Sequence, residues 1–265
     1  MASAPQAANL PLFYNDLMPL NSRDHATWQS RTTDKAPWLV TNHAIPLTAE
    51  EFPQAQRFYP IVFSSSDEPV PLALMGLNEG VNVFVDAEGH LVHPGVYIPA
   101  YARRYPFMLA KLQPDTEELS LCFDPTTDLV GEYDDGAALF DNAEPSETTK
   151  AMLEFCKQFE EAGMRTQAFV KELQKHDLLM DGEVSIAQQG QENPYIYRGF
   201  KMIDQEKLRE VRGDVLRTWN QSGLLALIFA HLYSLSLMSE VFNTQVAQGK
   251  GPVTLDALKA AVPAA

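Results

Sequence analysis

A chain of 265 residues is long enough to bury a sizeable core as one large domain or two small ones, and 45% hydrophobic with 10% aromatic residues excludes wholesale disorder. Twenty Lys and Arg against 35 Asp and Glu give a formal charge of −15, which excludes nucleic acid and anionic lipid as favoured partners because no basic run overrides that field. Cys122 and Cys156 stand in no zinc-like spacing, and the small polar opening has neither a basic nor an apolar region of a signal peptide, so a cytoplasmic chain with reduced thiols is expected.

Residues 1–9 read as a loose tail and 10–14 as an apolar segment able to dock. Residues 21–36 have no clear period and read as an irregular or weakly helical connection. Residues 38–45 carry Trp38, Val40 and Asn42 on one parity and are predicted to form a strand. Thr48-Ala-Glu-Glu51 fits a capping box, so a short helix starts there, limited by Pro53. Stretches 57–63, 70–77, 81–86 and 90–93 are short, rich in Val, Phe and Leu, and divided by turn signals; strands on such connections run antiparallel and make a meander.

Residues 97–112 carry apolar side chains on both parities and read as a further strand, with 119–123 extending the same sheet. Pro99 and Pro106 place it at a rim or a bulge. Strand geometry sends Arg103 and Arg104 to opposite faces, so one points inward and needs a partner. That partner is either a carboxylate of the chain itself, with Asp124 the nearest at a strand end, or the anionic group of a ligand flanked by the phenols of Tyr101 and Tyr105.

Residues 115–147 hold eleven acidic side chains and no Lys or Arg, and read as a solvated acidic loop rather than a calcium loop, whose register is tighter. Ser146 is a candidate N-cap for a helix running to about residue 179. Its stripe of Met152, Phe155, Phe159, Ala162, Thr166, Phe169 and Leu173, at alternating spacings of three and four, predicts one buried face, with a break at Gly163. One short strand is expected in 181–193 and another over 195–203; Asp204 caps a short helix that Gly213 punctuates. Residues 223–242 are nearly free of charge, but His231, Tyr233, Ser234, Ser236, Ser239 and Glu240 interrupt them, so a buried core helix is expected rather than a membrane span. Together these elements predict a single α+β domain over 1–265. An antiparallel meander sheet (38–124) and an acidic loop (115–147) pack against a helix-rich part (147–246).

His90 and His93 beside Asp86 and Glu88 look like a metal turn, but residues three apart in a hairpin face opposite ways, and no metal site is expected. No nucleophile elbow, phosphate loop or dinucleotide fingerprint is present, and no cofactor is implied. A buried imidazole near Tyr and Ser, His231, is the first candidate for acid/base work.

Several stretches together resemble the SapC family of bacterial proteins: Arg57-Phe-Tyr-Pro-Ile-Val-Phe63, Leu77-Asn-Glu-Gly-Val-Asn-Val-Phe-Val-Asp86, Tyr97-Ile-Pro-Ala-Tyr-Ala-Arg-Arg-Tyr-Pro-Phe107, Leu121-Cys-Phe-Asp124, Tyr197-Arg-Gly-Phe200 and the closing pattern from Ser222 to Leu235. The resemblance implies a cytoplasmic accessory role linked to a surface layer, an outer-membrane receptor or a halogenase pathway, and carries over no catalytic residue. Two functions stay open. One is a binding or adaptor protein in which Tyr97, Tyr101, Arg103, Arg104, Tyr105 and Asp124 hold an anionic small molecule or a peptide, with a protein partner or a second copy as further partners. The other is an enzyme or enzyme subunit of a flavin- or iron-dependent modification pathway, with His231 as its acid/base group.

Overall fold

The computed structural model describes residues 10–112, 118–188 and 193–252. The tail expected at 1–9, residues 113–117 with the start of the acidic loop, residues 189–192 of the segment 181–193, and the end of the chain beyond 252 lie outside the described residues. The chain forms two compact units. The first joins the described residues up to Asp34 with Ala100–Met164, and the second joins Lys35–Pro99 with the described residues from Arg165 onward.

In the first unit the strand Phe107–Lys111 pairs antiparallel with Leu119–Phe123, which pairs in turn with Met18–Pro19. Phe107 lies opposite Phe123 and Leu109 opposite Leu121, cross-strand pairs that bury one face together with Val130, Leu139 and Cys156. This sheet is separate from that of the second unit, so the meander expected over 38–124 is divided between two sheets. The division follows from residues 97–106, which are not a strand: Ala100–Arg103 is a helical turn, and extended pairing begins only after Pro106.

Ser146 opens the long helix Glu147–Lys175 as predicted, its Oγ accepting from the Thr149 N–H at 3.2 Å and donating to the Ala138 carbonyl at 2.6 Å. The expected break at Gly163 does not occur. An interior glycine costs about 1 kcal/mol relative to alanine, which a 29-residue helix with a packed stripe absorbs. The helix stops at Lys175, short of 179, because Asp177 adopts φ 51° and the Leu178 N–H reaches back to the Leu173 carbonyl at 3.0 Å. Its residues up to Met164 count with the first unit and the rest with the second.

The second unit is built on a five-stranded antiparallel sheet in the order Leu179–Asp181, Phe200–Ile203, Ile61–Ser64, Pro71–Leu74, Ala44–Pro46. Only the last residues of the strand expected at 38–45 pair; Pro37–Leu39 starts a 3-10 turn instead, and the Asn42 amide donates to the Trp38 carbonyl at 2.7 Å. The stretches at 81–86 and 90–93 are joined by the single bridge Val85↔Leu91. The Asp86 N–H donates to the His90 carbonyl and the Val92 N–H to the Phe84 carbonyl, both at 2.9 Å, and side chains supplement them: Asn82 Oδ1 accepts from Phe84 N–H, and Asp86 Oδ1 from the N–H groups of Glu88 and His90. The strand predicted at 195–203 is split by Gly199 at φ 92°, so that Tyr195–Tyr197 pairs with Val184–Ile186 while Phe200–Ile203 enters the large sheet. Thr48 and Glu51 form the capping box, and Asp204 caps Gln205–Glu210 through the N–H groups of Glu206 and Lys207.

The apolar segment after Gly223 forms two helices, Leu224–Ser234 and Leu237–Ala247, separated where Ser234 and Ser236 donate to the carbonyls of His231 and Tyr233. It is buried along one face, through Ile228, His231, Ser234, Met238, Val241, Phe242 and Gln245, while Phe229 and Tyr233 open to solvent. Among the described residues, Leu224–Ala247 is long and apolar enough to cross a membrane by length and composition, with mean hydropathy 1.6 and 33% of that window buried.

Candidate functional site

Pro99 suits the start of a helical turn, and the Arg104 N–H closes that turn on the Ala100 carbonyl at 3.0 Å. Pro106 offers no N–H and drives Tyr105 out of the helical region, so the turn ends there. Successive residues on a helical turn point about 100° apart. Arg103 and Arg104 therefore diverge, as a strand would also have made them do, but Arg104 is the one inside.

Arg104 is 6% exposed, with its guanidinium over the rings of Tyr101 at 4.5 Å and Phe159 at 4.3 Å, and Nη1 donating to Glu160 Oε1 at 3.3 Å. Each stacked ring contributes on the order of 0.5–2 kcal/mol. The carboxylate side chain is 42% exposed, so the ion pair is partly screened. Arg104 Nε is buried with no hydrogen-bond partner, which makes the rings the larger part of its environment. Of the two partners open for the inward arginine, the structure holds an internal carboxylate, Glu160, and not Asp124.

Asp124 is wholly buried and spent on other donors. It accepts from Asn15 N–H at 2.8 Å, Thr126 N–H at 2.9 Å, Thr126 Oγ1 at 2.7 Å and the Tyr105 hydroxyl at 3.3 Å. Burial, with the Asp124 charge beside it, pushes the Tyr105 phenol up to about 12. The Tyr101 hydroxyl donates to the Leu12 carbonyl at 3.2 Å, and that of Tyr14 to the Phe107 carbonyl at 2.7 Å. Burial raises both phenols, opposed by the nearby Arg104 charge. Phe13, at φ 81°, lays its ring against Tyr101 at 5.5 Å and Tyr105 at 6.3 Å. The corner is thus an aromatic cluster locked by hydroxyl-to-backbone bonds. Arg103 is exposed on it, its guanidinium 5.3 Å from the Phe155 ring.

Tyr97 does not join this group. It belongs to the second unit, where its hydroxyl donates to Glu51 Oε1 at 2.9 Å and its carbonyl accepts from Tyr59. Tyr14, Phe159 and Glu160 are members that the sequence did not single out; Phe159 was legible only as one residue of the buried stripe.

His231, the candidate acid/base group, is fully buried, with both ring nitrogens engaged by backbone. Its Nε2 accepts from the Ile203 N–H at 3.1 Å and its Nδ1 donates to the Ile61 carbonyl at 2.8 Å, which fixes the neutral tautomer. Desolvation lowers it to about 4. The ladder between these strands pairs Phe200 with Ser64 and Lys201 with Phe63, a register that would next bring Ile203 opposite Ile61. The imidazole bridges the two strands at that point in place of a ladder bond. Ser234 completes the patch, accepting from the Ile61 N–H at 2.9 Å.

His90 reaches only Asp86, at 3.3 Å, and no group of three or more His, Cys, Asp or Glu side chains converges among the described residues. In the acidic loop, Asp135 pairs with Arg31 at 2.6 Å and Arg31 lies 3.5 Å over the Tyr133 ring. Cys122 and Cys156 are free and buried, and burial pushes both thiols up to about 11.

A family model described as SapC matches residues 20–241, most of the chain, including residues 101–105, Asp124, Phe159 and Glu160 of the corner just described. The chain belongs to the SapC family. No curated protein and no solved structure gives a significant match to this SapC family member.

Proposed function

We propose that this SapC family member is an accessory binding protein that holds an anionic small molecule or a peptide carboxylate at residues 101–105. Arg103 is the cation that meets the ligand, and Arg104 is the pin that fixes the turn. The observation that carries this reading is the split of the pair. Arg104 is buried against Tyr101, Phe159 and Glu160, while Arg103, one residue earlier on the same turn, is exposed beside Phe155. A turn already fixed by packing gives up little conformational freedom when its outer guanidinium engages a carboxylate. The strand Phe107–Lys111 is an edge of its sheet, which supports the peptide form of the ligand through strand addition. The free, buried thiols support a cytoplasmic location, and the −15 charge speaks against nucleic acid as the ligand. The link to surface-layer, outer-membrane receptor or halogenase pathways rests on the family resemblance.

Native mass spectrometry of the protein purified gently from its own host tests the proposal. A bound mass on the wild-type chain that disappears in Arg103→Gln, with the unfolding midpoint unchanged, is the expected result. A mass retained by that variant would place the ligand elsewhere, and a wild-type protein free of any bound mass would count against a small-molecule ligand.

A further inference from the structure

Where the helix Glu147–Lys175 ends, in the second unit, lies a polar cavity of about 260 Å³ lined by Ser66, Asp67, Gln174, Asp177, Leu179 and Lys201. Lys201 stands opposite Phe63 and two residues before Ile203 on its strand, so its side chain leaves the sheet on the face that buries both. Carrying an amine from such a face to water is ordinary for a lysine. The Lys201 side chain is 28% exposed, and among the described residues its Nζ reaches only Asp181 Oδ1, at 3.4 Å, on a side chain 93% exposed. An ammonium has three donors, and that one long pair uses one of them. What sets the cavity apart is the opposite charge across it. Asp67 sits in the turn between Ile61–Ser64 and Pro71–Leu74, and among the described residues its carboxylate has no hydrogen bond or ion pair, with Lys201 or with any other group. The turn itself is held. The Ser64 N–H donates to the Val70 carbonyl and the Val70 N–H to Ser64 Oγ, both at 2.9 Å, while Gln174 Nε2 donates to the Asp67 carbonyl at 3.1 Å and ties the turn to the helix end.

The other carboxylate of the lining, Asp177, is spent on Lys207. One cavity therefore presents a carboxylate and an ammonium that do not meet each other, on walls already fixed by hydrogen bonds. An anion alone would engage Lys201 and face Asp67 as a like charge; a cation alone would do the reverse; a neutral polyol would compensate neither. A ligand that carries both charges gives each group its opposite. The long helix brings its partly negative C-terminal end to the cavity at Gln174, which favours the ammonium end of the ligand beside Asp67. The volume lies below the roughly 300–1,000 Å³ of sites for drug-sized ligands, so the occupant is small, and Pro69 and Leu179 give its apolar part a wall.

We propose that this cavity is a binding site for a free α-amino acid, whose ammonium meets Asp67 and whose carboxylate meets Lys201. The site lies within the second unit and rests on nothing at Arg103. The probes are glycine, L-leucine and L-glutamine, each also in its N-acetyl form, which lacks the cation, and its C-terminal amide form, which lacks the anion. They are titrated by saturation-transfer difference NMR against the full chain at neutral pH. For at least one parent amino acid a dissociation constant on the order of 0.1–1 mM is expected. Both of its one-charge forms should bind at least about tenfold more weakly to the wild-type chain, and so should the parent to Asp67→Asn and to Lys201→Met. Thermal melts check that the variants fold; if Lys201→Met melts early, Lys201→Gln replaces it, and the one-charge forms decide on the wild-type chain alone. The proposal is overturned by no binding of any parent up to about 20 mM. It is also overturned by an N-acetyl form that binds as well as its parent, which makes the cavity an anion site, or by an amide form that does, which makes it a cation site. Wild-type affinity in both variants overturns it too, by placing the amino acid elsewhere on the chain.

Discussion

Arg104 in the first unit and His231 in the second are both basic side chains taken out of water, and they are accommodated in opposite ways. A guanidinium does not give up its proton inside a protein, so the fold surrounds Arg104 with two aromatic faces and a half-exposed carboxylate. An imidazole can shed its proton, and His231 does so, becoming a donor on one nitrogen and an acceptor on the other between two strands. A buried base is thus a poor marker of chemistry by itself. What decides its role is how its polar atoms are engaged: His231 spends both ring nitrogens on the backbone of two strands, and the Arg104 guanidinium lies between two rings and a carboxylate.

The comparison is most sharply broken at His231. His231→Leu leaves the Ile203 N–H and the Ile61 carbonyl buried without partners, and should cost about 3–5 kcal/mol in urea unfolding; a loss below about 1 kcal/mol would mean that the strands re-pair directly. Arg104→Ala comes next, at about 3 kcal/mol, from an emptied site between two rings and the lost pair with Glu160. Third is pH. His231 is held at about 4 in the folded chain against 6.5 ordinarily, so the unfolded chain binds more protons in that window. Its contribution is fully present above the ordinary value and is lost as pH falls toward 4, by about 2 kcal/mol between pH 7 and 5. Chemical unfolding at the two pH values checks this, and a slope that survives in His231→Leu would assign it to other groups. Smaller still, Glu160→Gln should cost about 1 kcal/mol or less, since water already shares that carboxylate. Gly163→Ala should stabilise by about 0.5–1 kcal/mol, because a Cβ there meets no atom within 4 Å. A destabilised Gly163→Ala chain would show that the helix needs its glycine.

Legibility followed the range of the interactions. The stripe from Met152 to Leu173, the caps at Thr48, Ser146 and Asp204, and the α+β class, with antiparallel strands in the N-terminal half and helices after them, were readable, because each depends on residues within a few positions of one another. The stretch from Tyr97 to Pro106 misled because Pro-Ala-Tyr-Ala-Arg-Arg-Tyr-Pro has no dominant period, and two prolines bracket a helical turn as well as they bracket an edge strand. One of the two arginines was expected to turn inward and need a partner, and the sequence did not say which; the structure makes it Arg104. Glu160 was not legible as that partner, lying 56 residues away on a helix whose other stripe residues explain themselves by packing. His231 looked chemical in sequence for the same reason: the gap in the ladder that it spans lies in strands about 30 and 170 residues earlier.

The interleaving of the two units has a consequence for synthesis on the ribosome. Ile61–Ser64 has Pro71–Leu74 on one side as soon as it emerges, but its other neighbour, Phe200–Ile203, is translated well over a hundred residues later. For that interval, about ten seconds at ordinary elongation rates, a hydrophobic strand waits with one edge open. The intervening stretch, Ala100–Met164, meanwhile supplies most of the other unit. A nascent chain with so long a wait is a natural client for a holding chaperone, and a stop codon anywhere before residue 200 leaves that edge without its mate.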